Sequence, residues 1–176
     1  MKDRAQIVIA NHQSFFNVFA LTGYLPIQIC WLAKAVLFKI PFVGWSMKAA
    51  GYISVKREDR KSAYRSFMQA IEKVRSGCSL VIFPEGTRST DGKVGSFKKG
   101  SHLLAVRSQA PIVCATVIGS GNILKKGSGQ IRPGPIRIVL SPPIEVNEIN
   151  STTGEELLSQ IRARIIETYA KHNHSL

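Results

Sequence analysis

The chain is 176 residues long, 44% apolar and 20% charged. These proportions fit one globular domain with its own core and exclude a disordered or low-complexity protein. The formal charge of +13 is unevenly placed, with fifteen Lys and Arg against five Asp and Glu in residues 34–107; that segment is either a solvated face or a surface for anions such as nucleic acid, anionic lipid, a phosphorylated substrate or an acidic carrier protein.

The polar start, Met1 to Arg4, leads directly into an apolar strand, Ile7-Val8-Ile9-Ala10, which stops at Asn11-His12. A helix is predicted to open near Ser14, a residue type suited to N-capping. Phe15, Val18 and Phe19 recur at helical spacing and are expected in the core. Ile27 to Leu32 is a second apolar run. Ala35 to Trp45 is the most apolar stretch but is broken by Lys39 and Pro41. It reads either as core or as an interfacial segment with Lys39 snorkelling and Trp45 at headgroup level. No run reaches the ~18 apolar residues of a spanning helix.

Gly51 to Val55 alternates like a half-buried strand and ends in Lys56-Arg57. A helix follows, with Tyr64, Phe67, Met68, Ile71 and Val74 as its apolar residues and Gly77 as its stop. Cys78 to Phe83 has the continuous apolar character of a buried strand, and it breaks at Pro84-Glu85-Gly86-Thr87-Arg88. Thr90 to Lys99 is a polar loop. A helix begins near Gly100, Pro111 to Ile118 is another buried strand, and Gly119 to Pro135 is loop-rich. Pro135 to Leu140 is a further strand. Thr153-Gly154-Glu155-Glu156 is a capping-box sequence opening a final helix with Leu157, Leu158, Ile161, Ile165 and Tyr169 on one face. Strands alternating with helices give the fold class: α/β, a single domain over 1–176, with a mixed central sheet flanked by helices.

Three groups of residues could carry chemistry. His12 ends a buried strand, where open α/β sheets place their ligands, and is a candidate general base. A base needs a partner that fixes its tautomer; five residues on, one helical turn away, stands Asn17 rather than an acid. An Asn oxygen can accept a hydrogen bond but cannot stabilise an imidazolium by charge. Phe83 to Ser89 ends a strand in Pro and Gly, exposing backbone N–H groups; Arg88 suits bidentate phosphate binding, Thr87 supplies a hydroxyl, and Glu85 is expected to orient Arg88 or other local groups. Lys56 and Arg57 end a third strand and are either phosphate ligands or a solvated basic pair. Cys30, Cys78 and Cys114 lie in apolar contexts without metal or redox spacing and are expected to be reduced core thiols. There is no P-loop, no dinucleotide loop and no Gly-x-Ser-x-Gly elbow. Charge alone motivates nucleic-acid binding, and neither a recognition helix nor an aromatic–basic sheet motif accompanies it, so nucleic acid is not expected.

Asn11 to Asn17, Gly51-Tyr52-Ile53 with Lys56-Arg57, Phe83 to Ser89, and Ala110-Pro111-Ile112-Val113 together resemble the four ordered motifs of the glycerolipid acyltransferases, most closely the bacterial 1-acylglycerol-3-phosphate type. The resemblance covers Ile7 to about Leu140. It implies that His12 is the base for the free hydroxyl of lysophosphatidate. It implies that Glu85, Gly86, Thr87 and Arg88 bind the glycerophosphate with Lys56 and Arg57 near its phosphate, and that Pro111, Ile112 and Val113 help form the acyl-donor or acyl-chain surface. The implied donor is acyl-CoA or acyl carrier protein, with no metal or bound cofactor. The implied location is the cytoplasmic face of an anionic membrane. The family's first motif is His, four residues, then Asp, so Asn17 is a departure that puts catalysis in question. Members also carry hydrophobic helices ahead of that motif, so an anchoring segment is expected upstream of this chain.

Overall fold

The computed structural model describes residues 4–56 and 58–173. Six strands form one sheet: β1 (Ile7–Ala10), β2 (Ile29–Lys34), β3 (Ile53–Val55), β4 (Ser79–Ile82), β5 (Ile112–Ile118) and β6 (Arg137–Leu140). Their order is β3-β2-β4-β1-β5-β6. Pairing is parallel except between β5 and β6. The helices are α1 (Phe16–Tyr24), α2 (Val43–Ala49), α3 (Arg60–Arg75), α4 (Gly100–Ser108), α5 (Ser120–Ile123), α6 (Val146–Ser151) and α7 (Gly154–Asn173), with a 3-10 helix at Ala35–Lys39. The mixed sheet flanked by helices is the architecture expected from the strand–helix alternation.

Strand alternation divides the core into two layers. Ile7, Ile9, Cys30, Leu80, Ile112 and Cys114 pack with Ala70 and Val74 of α3, Leu104 of α4, and Leu157, Ile161 and Ile165 of α7. Val8, Ala10, Trp31, Val81, Ala115 and Val117 point the other way and pack with Leu21 of α1. Parallel strands covered on both faces have no polar side to show, which explains their continuous apolar runs.

Gly77 and the Thr153 capping box act as the sequence predicts, and Asp59 supplies a cap that is not among the signals read from the sequence. The Asp59 carboxylate accepts from the N–H groups of Lys61 and Ser62 at 3.0 and 3.1 Å, capping α3. Gly77, at φ +99°, ends it. In the capping box of α7, Glu156 accepts from Thr153 N–H at 3.2 Å and its own N–H reaches Thr153 Oγ1 at 3.3 Å. Ser14 lies one residue before the N-cap of α1, which is Phe15, and its hydroxyl accepts from Phe16 N–H at 3.3 Å.

One expectation is corrected and one open alternative is narrowed. Phe15 and Phe19 are not core but 47% and 58% exposed, because α1 has no further layer over it. The stretch 35–45 is likewise not core. It folds into the 3-10 helix and α2, joined by a γ-turn in which Val43 N–H reaches Pro41 O at 2.7 Å. This turn forces Phe42 to φ +62°, ψ −52°, a strain of about 1–3 kcal/mol for a non-glycine residue. Gly44 makes the turn possible, since a Cβ there would stand 2.2 Å from Phe38 O.

Ile161 is fully buried at the centre of the α7 contact. Ile161→Ala is expected to lower the unfolding free energy by about 2–5 kcal/mol in urea denaturation.

Candidate active site

The site lies where β1 and β4 end side by side. The chain leaves β1 toward β2 through α1 on one face, and leaves β4 toward β5 through α4 on the other. Connections that diverge to opposite faces leave a crevice beyond the strand carboxyl ends. His12 and the Pro84–Ser89 loop are therefore neighbours by topology.

Side chains and backbone then fix their geometry. Asn11 extends the β1–β5 ladder past the end of β1: its Nδ2 donates to Val117 O at 2.9 Å and its Oδ1 accepts from Val117 N–H at 2.7 Å. His12 N–H donates to Glu85 Oε1 at 2.8 Å, and His12 O accepts from Ser89 N–H at 2.8 Å. The imidazole stacks on Phe83, with centroids 3.8 Å apart and planes 7° from parallel. Phe83 in turn stacks on Trp31 at 5.3 Å. Backbone clips on both sides and an aromatic floor set the position of the ring.

Both Glu85 oxygens accept from backbone N–H groups in this arrangement. Glu85 is 8% exposed, and its second oxygen accepts from Gly95 N–H at 2.9 Å. Arg162 of α7 lies close enough to favour its charge and holds Gly95 O and Val94 O, both at 2.8 Å. Burial raises the Glu85 pKa above the ordinary carboxylate range, opposed by the Gly95 and His12 N–H groups. The residue ties the β4 loop and the following loop to His12.

The cations lie on the outer side of the same loop. Gly86 adopts φ +72°, and a Cβ there would stand 2.9 Å from Lys98 Nζ, so Lys98 lies directly over it. Lys126 Nζ donates to Thr87 Oγ1 at 3.1 Å and to Arg88 O at 2.9 Å. Among the described residues, the ion pairs are Arg4–Glu145, Arg75–Glu72 and Lys99–Glu155, so Arg88, Lys98 and Lys126 face no carboxylate partner. Lys98 and Lys126 carry no signal in the sequence; the Lys126 contacts span 39 and 38 residues and leave no local pattern. Lys56 ends β3 on the same sheet edge. It is two strand positions from β4, about 10 Å at ordinary strand spacing. Arg57 lies outside the described residues.

Asn17 is fully buried. Its Oδ1 accepts from Ser14 N–H at 3.1 Å and from Ser120 Oγ at 2.6 Å, while its Nδ2 donates to Asn11 O at 2.8 Å. A backbone donor and a backbone carbonyl fix which end of the amide is which. Both lone pairs of Oδ1 are engaged, so what Asn17 retains toward its surroundings is one N–H, not an acceptor. Ser120 is a second participant that the sequence did not reveal.

Pro111, Ile112 and Val113 are not at this edge. Ile112 pairs with Ile7, at the opposite end of β1 from His12, and Ile112 and Val113 are at most 1% exposed. Parallel register sends the start of β5 away from the site. The apolar surface near the site is instead a groove of about 580 Å³ lined by Phe16, Phe19, Ala20, Ile123, Ile136 and Ile138, among others. The cysteines take no part: Cys30 and Cys114 are buried, and burial with Cys78 alongside pushes the Cys30 thiol up to about 12.

Residues 1–118 match the family model described as Acyltransferase. The chain belongs to the acyltransferase family. Within that family it is 34% identical to a 1-acyl-sn-glycerol-3-phosphate acyltransferase of Helicobacter pylori, over 98% of this chain and 71% of that one. It is 33% identical to a chloroplast 1-acyl-sn-glycerol-3-phosphate acyltransferase of Arabidopsis thaliana, over 94% of this chain and 45% of the relative. The acyltransferase chain thus spans less than half the length of that plant protein. The crystal structure of the 1-acyl-sn-glycerophosphate acyltransferase from Thermotoga maritima superposes with a TM-score of 0.85 at 32% identity, covering 96% of this chain and 66% of the other.

Glu85→Gln removes one acceptor from the pair of backbone donors, so either His12 N–H or Gly95 N–H faces an amide NH2. An unsatisfied buried donor costs about 1–3 kcal/mol, and turnover is expected to fall tenfold or more. Because the native pKa is raised, the stability this group contributes is greatest below the ordinary carboxylate range and declines as pH rises through the native value. Urea midpoints measured across that range should slope downward in the parent and lose this component in the variant.

Proposed function

We propose that the protein transfers a fatty acyl group from an acyl thioester to the free hydroxyl of 1-acylglycerol-3-phosphate, giving phosphatidic acid. The observation that carries this reading is the double backbone clip of His12 to the Glu85–Ser89 loop, which sets an imidazole beside a group of cations without carboxylate partners. Arg88, Lys98 and Lys126 take the phosphate. His12 takes the proton of the acceptor hydroxyl, whose oxygen attacks the thioester carbonyl. The C–S bond then breaks, and His12 returns the proton to the departing thiol sulfur. The apolar groove beside α1 takes the acyl chain; its volume is within the range of about 300–1,000 Å³ usual for small-molecule pockets. The donor is acyl-CoA or acyl carrier protein, both acidic, and the basic 34–107 segment suits either. The names of the relatives support the acceptor.

In this reading the residue at 17 limits the rate. Asn17 brings no charge to an imidazolium, and its oxygen is already shared between Ser14 and Ser120. The same engagement supports a second reading, a lipid-binding module on the same fold that does not turn over.

A paired assay with lysophosphatidate and a long-chain acyl thioester in micelles separates them. Asn17→Asp is expected to raise turnover, by up to about 10⁴-fold if the carboxylate matters as much as it does in the serine-protease triad. His12→Ala should abolish it in both backgrounds. Asn17→Asp also sets a carboxylate oxygen against Asn11 O, where the amide now donates at 2.8 Å, and is expected to lower stability by about 1–3 kcal/mol. Silence in both proteins with lysophosphatidate binding retained would establish the module instead.

A further inference from the structure

The γ-turn between the 3-10 helix and α2 is strained, rigid and turned outward. Phe42 is 77% exposed and Trp45 63%, with Val36, Ile40 and Val43 between 45% and 60%. Phe42 and Trp45 meet edge to face at 5.2 Å, so they present one continuous apolar tip. Backbone hydrogen bonds from Gly44 N–H to Ile40 O at 2.7 Å and from Ser46 N–H to Phe42 O at 2.9 Å hold it in shape. Strain of this kind persists where it positions a functional surface.

Charge says what covers the tip. Lys34, Lys39 and Lys48 surround it and are exposed, and none has an ion-pair partner among the described residues. From Arg4 to Arg57 the chain contains no Asp or Glu. A self-associating surface would bring these lysines against their own copies. An anionic bilayer matches both properties, with aromatic side chains at headgroup level and lysines on lipid phosphates.

Topology adds the position. The 3-10 helix follows the carboxyl end of β2, which runs parallel to β4 and, through it, to β1. The tip therefore projects from the same sheet edge as His12. We propose that the Val36–Trp45 knuckle docks this edge on an anionic bilayer, inserting Phe42 and Trp45 and holding the His12 crevice against the lipid surface. The docking itself is independent of turnover; only its purpose rests on the lipid acceptor proposed above.

The test is vesicle partitioning of the whole chain, read by co-sedimentation and by Trp emission. Trp31 is 5% exposed, so a change in emission reports Trp45. The expected result is binding to vesicles of phosphatidylcholine with a third phosphatidylglycerol, a blue shift, and weakening in high salt. Phe42→Asp should reduce partitioning about tenfold or more, with its thermal transition retained, since Asp tolerates positive φ better than Phe. Lys39→Glu with Lys48→Glu should reduce it on anionic vesicles. Tyr64→Asp, at an exposed site on α3, should leave it unchanged. Equal binding by Phe42→Asp and the parent, equal binding to purely zwitterionic vesicles, or absence of binding would each overturn the proposal. So would a concentration-dependent dimer in buffer that Phe42→Asp dissociates, since the tip would then be an interface between copies.

Discussion

The His12 edge depends on one buried carboxylate. Glu85 receives backbone N–H bonds from His12 and from Gly95, and so joins the end of β1 to two loops that follow β4. A buried charge is tolerated only when its lone pairs are satisfied and a counter-charge lies near. Here the two amides supply the first, and Arg162 supplies the second from the far helix α7. The helix that covers one face of the sheet is thus also a strut for the crevice on its edge. The division of labour is clear: the acid positions backbone inside, while the cations remain on the outer side of the loop.

Asn17 shows how a residue can be locally well placed and chemically limiting. As a structural element it is fully engaged, joining Ser14, Asn11 and Ser120 around the first turn of α1. That engagement uses both of its acceptor sites. An acid at this position would bring charge but would also face the Asn11 carbonyl, so local order and imidazolium stabilisation make opposing demands on one side chain.

What was legible in the sequence follows from local rules. Buried parallel strands are continuous apolar runs, so β1, β4 and β5 stand out, and Thr153 announces its helix through hydrogen bonds within three residues. The ordered motifs located His12 and the Glu85–Arg88 loop. The rest required three-dimensional register. A strand buried along its whole length does not show which end faces a site, and the register that puts Ile112 beside Ile7, away from His12, is set only by pairing. Helical spacing finds the face shared by Phe15 and Phe19 but not whether anything covers it. Glu85 reads as a residue that orients local groups, but the partners it holds are backbone N–H groups 73 and 10 residues away, which no local pattern announces. The positive φ of Phe42 follows no residue preference; it is imposed by the fit of Gly44 against Phe38.

The place of β1 in the sheet has a consequence for how the chain is made. The first strand pairs only with β4 and β5, and its register partners begin at Leu80 and Ile112. Ile7–Ala10 therefore has no strand neighbour until the chain has extended through Leu80, and its second neighbour follows only from Ile112. Non-local parallel pairing is slow because loop closure must precede any gain from contact. The apolar strand is made before the segments that cover it, so its side chains stay exposed until those segments follow. Assembly of the crevice is therefore a late event, complete only once α7 has been synthesised and Arg162 has reached Gly95.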